Sequence, residues 1–233
     1  MNSDHFVVVV PARDEERRIV RCVESILVSG SVAGIEHLDV VVVADTCSDR
    51  TAAIARLALR NRGVVLEVDA GSAGRARAIG TSVGLARAAP TPLHRIWTAH
   101  TDGDTKVPVG WLAGHRRAAE AGHAAVAGVV EVDSFDDHGP HTAMRHRRSY
   151  DGPTDDHPHV HGANLGVRAD AYLAVGGWSA LLTGEDHALW LAVRGAGYPT
   201  RSTRSMRVVT SGRRHGRAPA GFAADLRALD AAG

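Results

Sequence analysis

"FVVVVPARDEERRIV", residues 6–20, decides the fold. A run of valines with no polar alternation is the pattern of a strand covered on both faces. It breaks at Pro11 and Ala12 into an acidic turn. The segment "RDEERRIVRCVESILVSG" (13–30) then reads as a helix, with acids in its first turn, Ile19, Val20, Val23, Ile26 and Leu27 on one side, and Gly30 at its end. The same unit recurs. "LDVVVVAD" (38–45) is a second buried strand, Ser48 and Asp49 offer caps, and "RTAAIARLALRNRG" (50–63) is a helix. "VVLEVDAG" (64–71), "SAGRARAIGTSVGLARAA" (72–89) and "RIWTAHTD" (95–102) add a strand, an Ala-rich helix and a fourth strand. Strand alternating with helix implies a mostly parallel sheet with helices on its faces and right-handed crossovers.

In such sheets ligands gather beyond the carboxyl ends of the strands. Four groups of chemistry-bearing residues fall there: Pro11 through Glu15, Asp45, Gly71 through Arg75, and Asp102 with Asp104. After about residue 130 the regularity fails. The stretch 132–164 carries histidines at 138, 141, 146, 157, 159 and 161 without helical or strand periodicity. Their spacings are irregular and no cysteine joins them, so the segment reads as a loop over the site and not as a zinc centre. "RADAYLAVGGW" (168–178) and "EDHALWLAVRGAG" (185–197) read as short helices, "TRSTRSMRVVTS" (200–211) as an edge strand, and 218–233 as a helix that frays.

Composition narrows the class. The 233 residues are 44% hydrophobic and 23% charged, enough for one large α/β core, and no linker or repeat divides them. A formal net charge of +1 and 4% aromatics give no argument for nucleic acid. A basic cluster lies at 201–217, including Arg213, Arg214 and Arg217. The two cysteines, Cys22 and Cys47, have no CxxC spacing and read as free thiols. No leader-like start and no run of about 20 apolar residues is present, which leads to the expectation of a soluble, cytoplasmic protein.

The chemistry follows from the strand ends. Asp102-Gly103-Asp104 can hold a hard divalent cation, and that cation can hold a diphosphate whose charge grows as a bond breaks. Asp45 can accept from a base N–H or a ribose hydroxyl. Gly71 and Arg75 can approach a diphosphate with backbone and guanidinium. Glu185-Asp186 opens a helix, where a carboxylate can act as general base or simply suit the helix dipole. His215 could ligate a metal or face phosphate beside its neighbouring arginines.

In order, "VVVVPARDEERRI", "VVVADTCSDRTAAIA", "GSAGRARAIGTSVGLA", "HTDGDTKVPVGWL", "HGANLGVRADAYLAVGGW" and "GEDHALWLAVRGAGYPTR" resemble the motifs of family 2 glycosyltransferases of the GT-A fold, over about residues 6 to 225. The resemblance implies a single GT-A (Rossmann-like) domain over 1–233. Residues 1–105 would be its nucleotide-binding half, and 106–233 an acceptor-binding half with an irregular part. It implies a nucleoside pocket of Pro11, Ala12, Arg13, Glu15 and Asp45, with Gly71 and Arg75 toward the diphosphate. Asp102 and Gly103 would face ribose and diphosphate, and Asp104 would ligate Mg²⁺ or Mn²⁺ with His215. Gly162, Ala163 and Asn164 would line the sugar and acceptor floor. Asp186, with Glu185 beside it, would be the base of an inverting transfer from a nucleotide-diphosphate sugar to a small-molecule or lipid-linked hydroxyl acceptor. Neither spanning helices nor a Gln-x-x-Arg-Trp segment is present, which implies transfer of one sugar at a time. A retaining enzyme, a donor-binding module without transfer, and a homodimer stay open. A nucleotidyltransferase is disfavoured, because the turn after the first strand is acidic where that class has a Gly-rich basic loop.

Overall fold

The computed structural model describes residues 5–216 and 221–231. Seven strands form one sheet: β1 (His5–Ala12), β2 (His37–Asp45), β3 (Gly63–Val68), β4 (Ile96–His100), β5 (Ala125–Val132), β6 (Leu165–Arg168) and β7 (Thr200–Thr210). Their order is β3-β2-β1-β4-β6-β5-β7. Neighbours run parallel except at β6, which is antiparallel to both β4 and β5.

The helices are α1 (Ile19–Val32), α2 (Thr51–Leu59), α3 (Ala73–Arg87), α4 (Trp111–Glu120), α5 (Thr142–Tyr150), α6 (Ala169–Ala174), α7 (Glu185–Gly195) and α8 (Phe222–Ala231). The valine run of β1 shows why both faces are covered. Phe6, Val8 and Val10 pack with Ile19, Val23 and Ile26 of α1 and Leu112 of α4, whereas Val7 and Val9 join Ala76 of α3 on the opposite face. Each fully buried valine removes apolar surface worth about 1.5–3 kcal/mol, so a strand without alternation is stable only between two helix layers. A third cluster, centred on Trp178, Leu189, Trp190 and Val193, holds α6 and α7 against β5 and β6.

Element boundaries differ from the sequence reading in instructive ways. The acids Asp14 through Glu16 precede α1, whose first turn holds no acid. They form a separate turn pinned to the start of α2, where the Glu16 amide donates to Asp49 Oδ2 at 3.0 Å and the Glu15 amide to Thr51 Oγ1 at 2.7 Å. The second helix stops at Leu59, because Arg60 and Asn61 take positive φ and Gly63 already belongs to β3. The stretch read as irregular contains α5, packed on α8. Arg217, residues 218–220 and the last two residues of the tail lie outside the described residues.

Candidate active site

The carboxyl ends of β1, β2 and β4 open into a cleft of about 520 Å³, which α7 and the segments 160–163 and 210–213 close from the far side. This is the size of a small-molecule or cofactor site. Pro11, Ala12, Arg13, Glu15, Asp45, Gly71, Asp102, Gly103, Asp104, Gly162, Ala163, Glu185 and Asp186 all line it. Residues from six separate stretches of sequence therefore meet in one cavity.

Local architecture explains how. The amide of Gly103 donates to Pro11 O at 3.1 Å, which draws the turn after β4 against the end of β1. A Cβ at position 103 would lie 2.8 Å from Ala12 Cβ, so only glycine permits that approach. The strand-like pairing of Lys106 with Val209 fixes the other side of the turn to β7. Beneath it the buried Cys22 thiol donates to Asp102 O at 3.3 Å. Burial raises that thiol well above its ordinary range, so it stays protonated. Cys47, half-buried, lies at the rim with its Sγ 3.4 Å from Ala12 O.

Each aspartate of the Asp-Gly-Asp turn is met by an arginine. Arg77, 3% exposed, donates to Asp102 Oδ1 at 2.5 Å and to Glu185 Oε1 at 2.7 Å, with its guanidinium 5.1 Å from the Trp178 ring. Arg213 reaches Glu15 Oε1 at 2.6 Å and Asp104 Oδ2 at 3.1 Å. Thr210 Oγ1 donates to Asp104 Oδ1 at 3.1 Å. Burial, opposed by Arg213 and helped by the Glu15 and Asp102 charges, lifts the Asp104 carboxyl to about 6.

The two acids that open α7 are held differently. Burial raises Glu185 against the lowering effect of Arg77. Asp186 is half-buried, which by itself would raise its carboxyl, yet the Gly162 and His187 amides that donate to it hold the carboxyl below the ordinary value. It is therefore ionised at neutral pH. Beside it His161 lines the cleft, its Nε2 2.6 Å from Tyr150 Oη, and burial lowers its pKa to about 4, so the ring is neutral. Leu182, Phe222 and Asp225 form the outer lip.

Three expected residues do not join the lining. Arg75 is exposed on the outer side of α3, and the same helix turns Arg77 inward instead. Asn164 is fully buried and structural: its Nδ2 donates to Val129 O and Met206 O at 2.9 Å, and its Oδ1 accepts from Trp111 Nε1 at 2.9 Å. His215 is exposed beyond the end of β7. Asp45 lines the cleft, but its Oδ1 is engaged by the Ala70 and Gly71 amides at 2.7 and 3.1 Å, which joins the ends of β2 and β3.

Whether the turn suits a divalent cation can be judged from its donors. Carboxylate oxygens are the ligands Mg²⁺ and Mn²⁺ take, and Mg²⁺ characteristically uses one or two protein carboxylates together with phosphate oxygens and water. Asp104, with Asp102 nearby, fits that pattern. Among the described residues the group that brings three ligand atoms within 4.8 Å of one another is Asp14, Cys47 and Asp49, at the β1–β2 rim. The histidines of 138–161 gather no such group.

A mostly parallel sheet in this order, with an acidic cleft at its carboxyl ends, is a fold the chain shares with GT-A glycosyltransferases of known structure. The chain belongs to the glycosyltransferase-like family 2, whose model matches residues 3–221. No curated protein matches the sequence. Among solved structures it is similar to S. aureus TarS (residues 1–349) in complex with UDP-GlcNAc, at 13% identity and a TM-score of 0.63, covering 92% of this chain and 60% of that one. It is also similar to the mannosyltransferase PcManGT from Pyrobaculum calidifontis in complex with GDP-Man and Mn²⁺, at 20% identity and a TM-score of 0.65, covering 96% and 68%. The chain thus spans about three fifths of the TarS chain. Among the described residues no helix is long and apolar enough to cross a membrane.

Proposed function

We propose that this chain moves one sugar from a nucleoside-diphosphate sugar to a hydroxyl group of a small-molecule or lipid-linked acceptor, with inversion, in the cytoplasm. The observation that carries the reading is the meeting, in one cleft of about 520 Å³, of the Asp102–Asp104 turn, two arginines and the ionised Asp186. Nucleotide-sugar complexes of structural relatives lend it support, since TarS was solved with UDP-GlcNAc and PcManGT with GDP-Man and Mn²⁺.

In this reading residues 1–105 hold the nucleotide and 106–233 the acceptor. Pro11, Ala12, Arg13, Glu15 and Asp45 face the nucleoside, and Gly71, Asp102 and Gly103 face ribose and diphosphate. Asp104, with Asp102, would hold Mg²⁺ or Mn²⁺, which when bound neutralises charge growing on the leaving diphosphate. Arg77 and Arg213 extend that stabilisation with fixed positive charge in a low-dielectric cleft. Gly162 and Ala163 form the floor. Asp186 accepts the acceptor proton. Its depressed pKa makes it a weak base in the resting enzyme, so proton transfer lags until bond formation makes the hydroxyl acidic. The retaining alternative leans on a histidine ligand; His215, its candidate, is exposed and is not among the residues that line the cleft.

Thermal unfolding with UDP, GDP, ADP, CDP and dTDP, each with and without Mn²⁺, tests donor binding. One diphosphate at a hundred times its dissociation constant is expected to add about 2.7 kcal/mol. Asp186→Asn keeps an oxygen for the Gly162 amide, so it should bind that diphosphate normally and lose transfer. Normal transfer by the variant overturns the base assignment, and donor binding without any transfer by the wild type favours a binding module.

A further inference from the structure

We infer that Arg213 is a built-in counter-cation that keeps a divalent metal off Asp104 until a nucleoside diphosphate arrives. The inference rests on the donor reading above. Its basis is a single nitrogen: Arg213 Nη2 bridges Glu15 Oε1 at 2.6 Å and Asp104 Oδ2 at 3.1 Å. Both carboxylates are nearly buried, with side-chain exposures of 4% and 10%. The oxygen Asp104 would offer a cation is therefore already neutralised, and a divalent ion placed on it would stand beside a fixed positive charge.

Displacing Arg213 without a substitute would leave Glu15 as an unpaired charge in a low-dielectric wall, which is strongly unfavourable. Nor do the described residues provide a complete cage at this point, since their convergent three-ligand group lies elsewhere, at Asp14, Cys47 and Asp49. A diphosphate removes both obstacles. Its oxygens complete the coordination sphere and give the guanidinium a bidentate anionic partner.

Arg213 is placed to make that exchange. It sits in the turn after β7, and that turn is anchored behind it. The Gly212 amide donates to Asp133 Oδ1 at 2.9 Å, and His138 Nε2 lies 2.8 Å from Gly212 O. Arg213 lines the cleft, so the exchange asks for rotation of one long side chain about this anchor and no movement of the backbone. Metal and diphosphate then bind as a coupled pair, and metal alone binds poorly.

The test is direct titration of Mn²⁺ alone, followed by electron paramagnetic resonance of the free ion, on wild type, Arg213→Ala and Arg213→Lys. The titration is then repeated with saturating GDP or UDP. Wild type and Arg213→Lys are expected to bind Mn²⁺ about tenfold or more weakly without the nucleotide than with it, a coupling of ordinary allosteric size. Arg213→Ala is expected to bind Mn²⁺ alone about tenfold more tightly than wild type and to lose most of the coupling. Unchanged Mn²⁺ affinity in Arg213→Ala overturns the inference, as does wild type binding Mn²⁺ equally well with and without nucleotide. Should Arg213→Ala fail to fold, Arg213→Gln carries the same comparison. If wild type takes neither nucleotide under any condition, the donor reading fails, while the comparison with Mn²⁺ alone still decides the role of Arg213.

Discussion

At the scale of single residues, the site is governed by where burial places charge. Asp104 carries a pKa raised to about 6. A raised carboxyl favours the protonated form in the folded state, so its contribution to stability is complete below the unfolded value and is lost as pH rises through about 6. Ligand binding runs the other way, because only the carboxylate can hold a metal. Metal-dependent nucleotide affinity is expected to be flat above about pH 7 and to fall by up to about tenfold per unit below about pH 6. Calorimetry across pH 5–8 checks this, and Asp104→Asn should abolish the pH dependence together with the metal dependence. Sequence alone put Asp102, Asp104 and Asp186 among the site residues and named Arg75 without singling out Arg77. A signal for Arg77 was present: Ala73, Ala76, Arg77 and Gly80 recur at helical spacing and share the inward face of α3, while Arg75 falls off it. Arg213 left no comparable local signal, because its partners Glu15 and Asp104 lie 198 and 109 positions away.

At the scale of elements, β1, β2 and β3 were legible because valine runs have one stable environment, whereas β5, β6 and α5 were not read, the last for an equally physical reason. "TAMRHRRSY" buries only Thr142 and His146 among its nine residues, too little for a periodic stripe. What holds it is tertiary: Asp230 of α8 accepts from the Gly139 amide at 2.6 Å and from Thr142 Oγ1 at 2.7 Å. Asn164 teaches the same lesson. Its resemblance-based role was substrate contact, yet the β5–β7 pairing shifts register between Gly128 and Val129, and the Asn164 amide bridges the two strands there. Asn164→Ala would strand two buried carbonyls and the Trp111 indole N–H, at about 1–3 kcal/mol each. A loss of about 3 kcal/mol or more in urea unfolding is expected, and a neutral result would show that the bridge contributes little.

At the scale of the whole molecule, the cleft divides the sheet into a side built on β3, β2, β1 and β4 and a side built on β6, β5, β7 and α7. Arg77 ties them, since Asp102 follows β4 and Glu185 opens α7. Removing the guanidinium leaves the nearly buried Glu185 and the half-buried Asp102 without their shared counter-charge. Arg77→Ala is expected to cost about 1–3 kcal/mol, less than a fully buried pair because water screens Asp102, and to weaken donor binding and transfer together. Unfolding curves and nucleotide titration check both, and a stable variant with unchanged affinity would show that the two sides are held by the apolar clusters alone.

The unequal setting of the two thiols gives the molecule a single chemical handle. Cys22 is sealed beneath the Asp-Gly-Asp turn and held protonated, so a maleimide dye has neither access to it nor a thiolate to attack. Cys47, half-exposed against Ala12, can be alkylated slowly at elevated pH without mutating the other cysteine. A fluorophore placed there sits in the unmodified sequence beside Ala12, which lines the cleft, where changes in its emission would follow ligand arrival in real time.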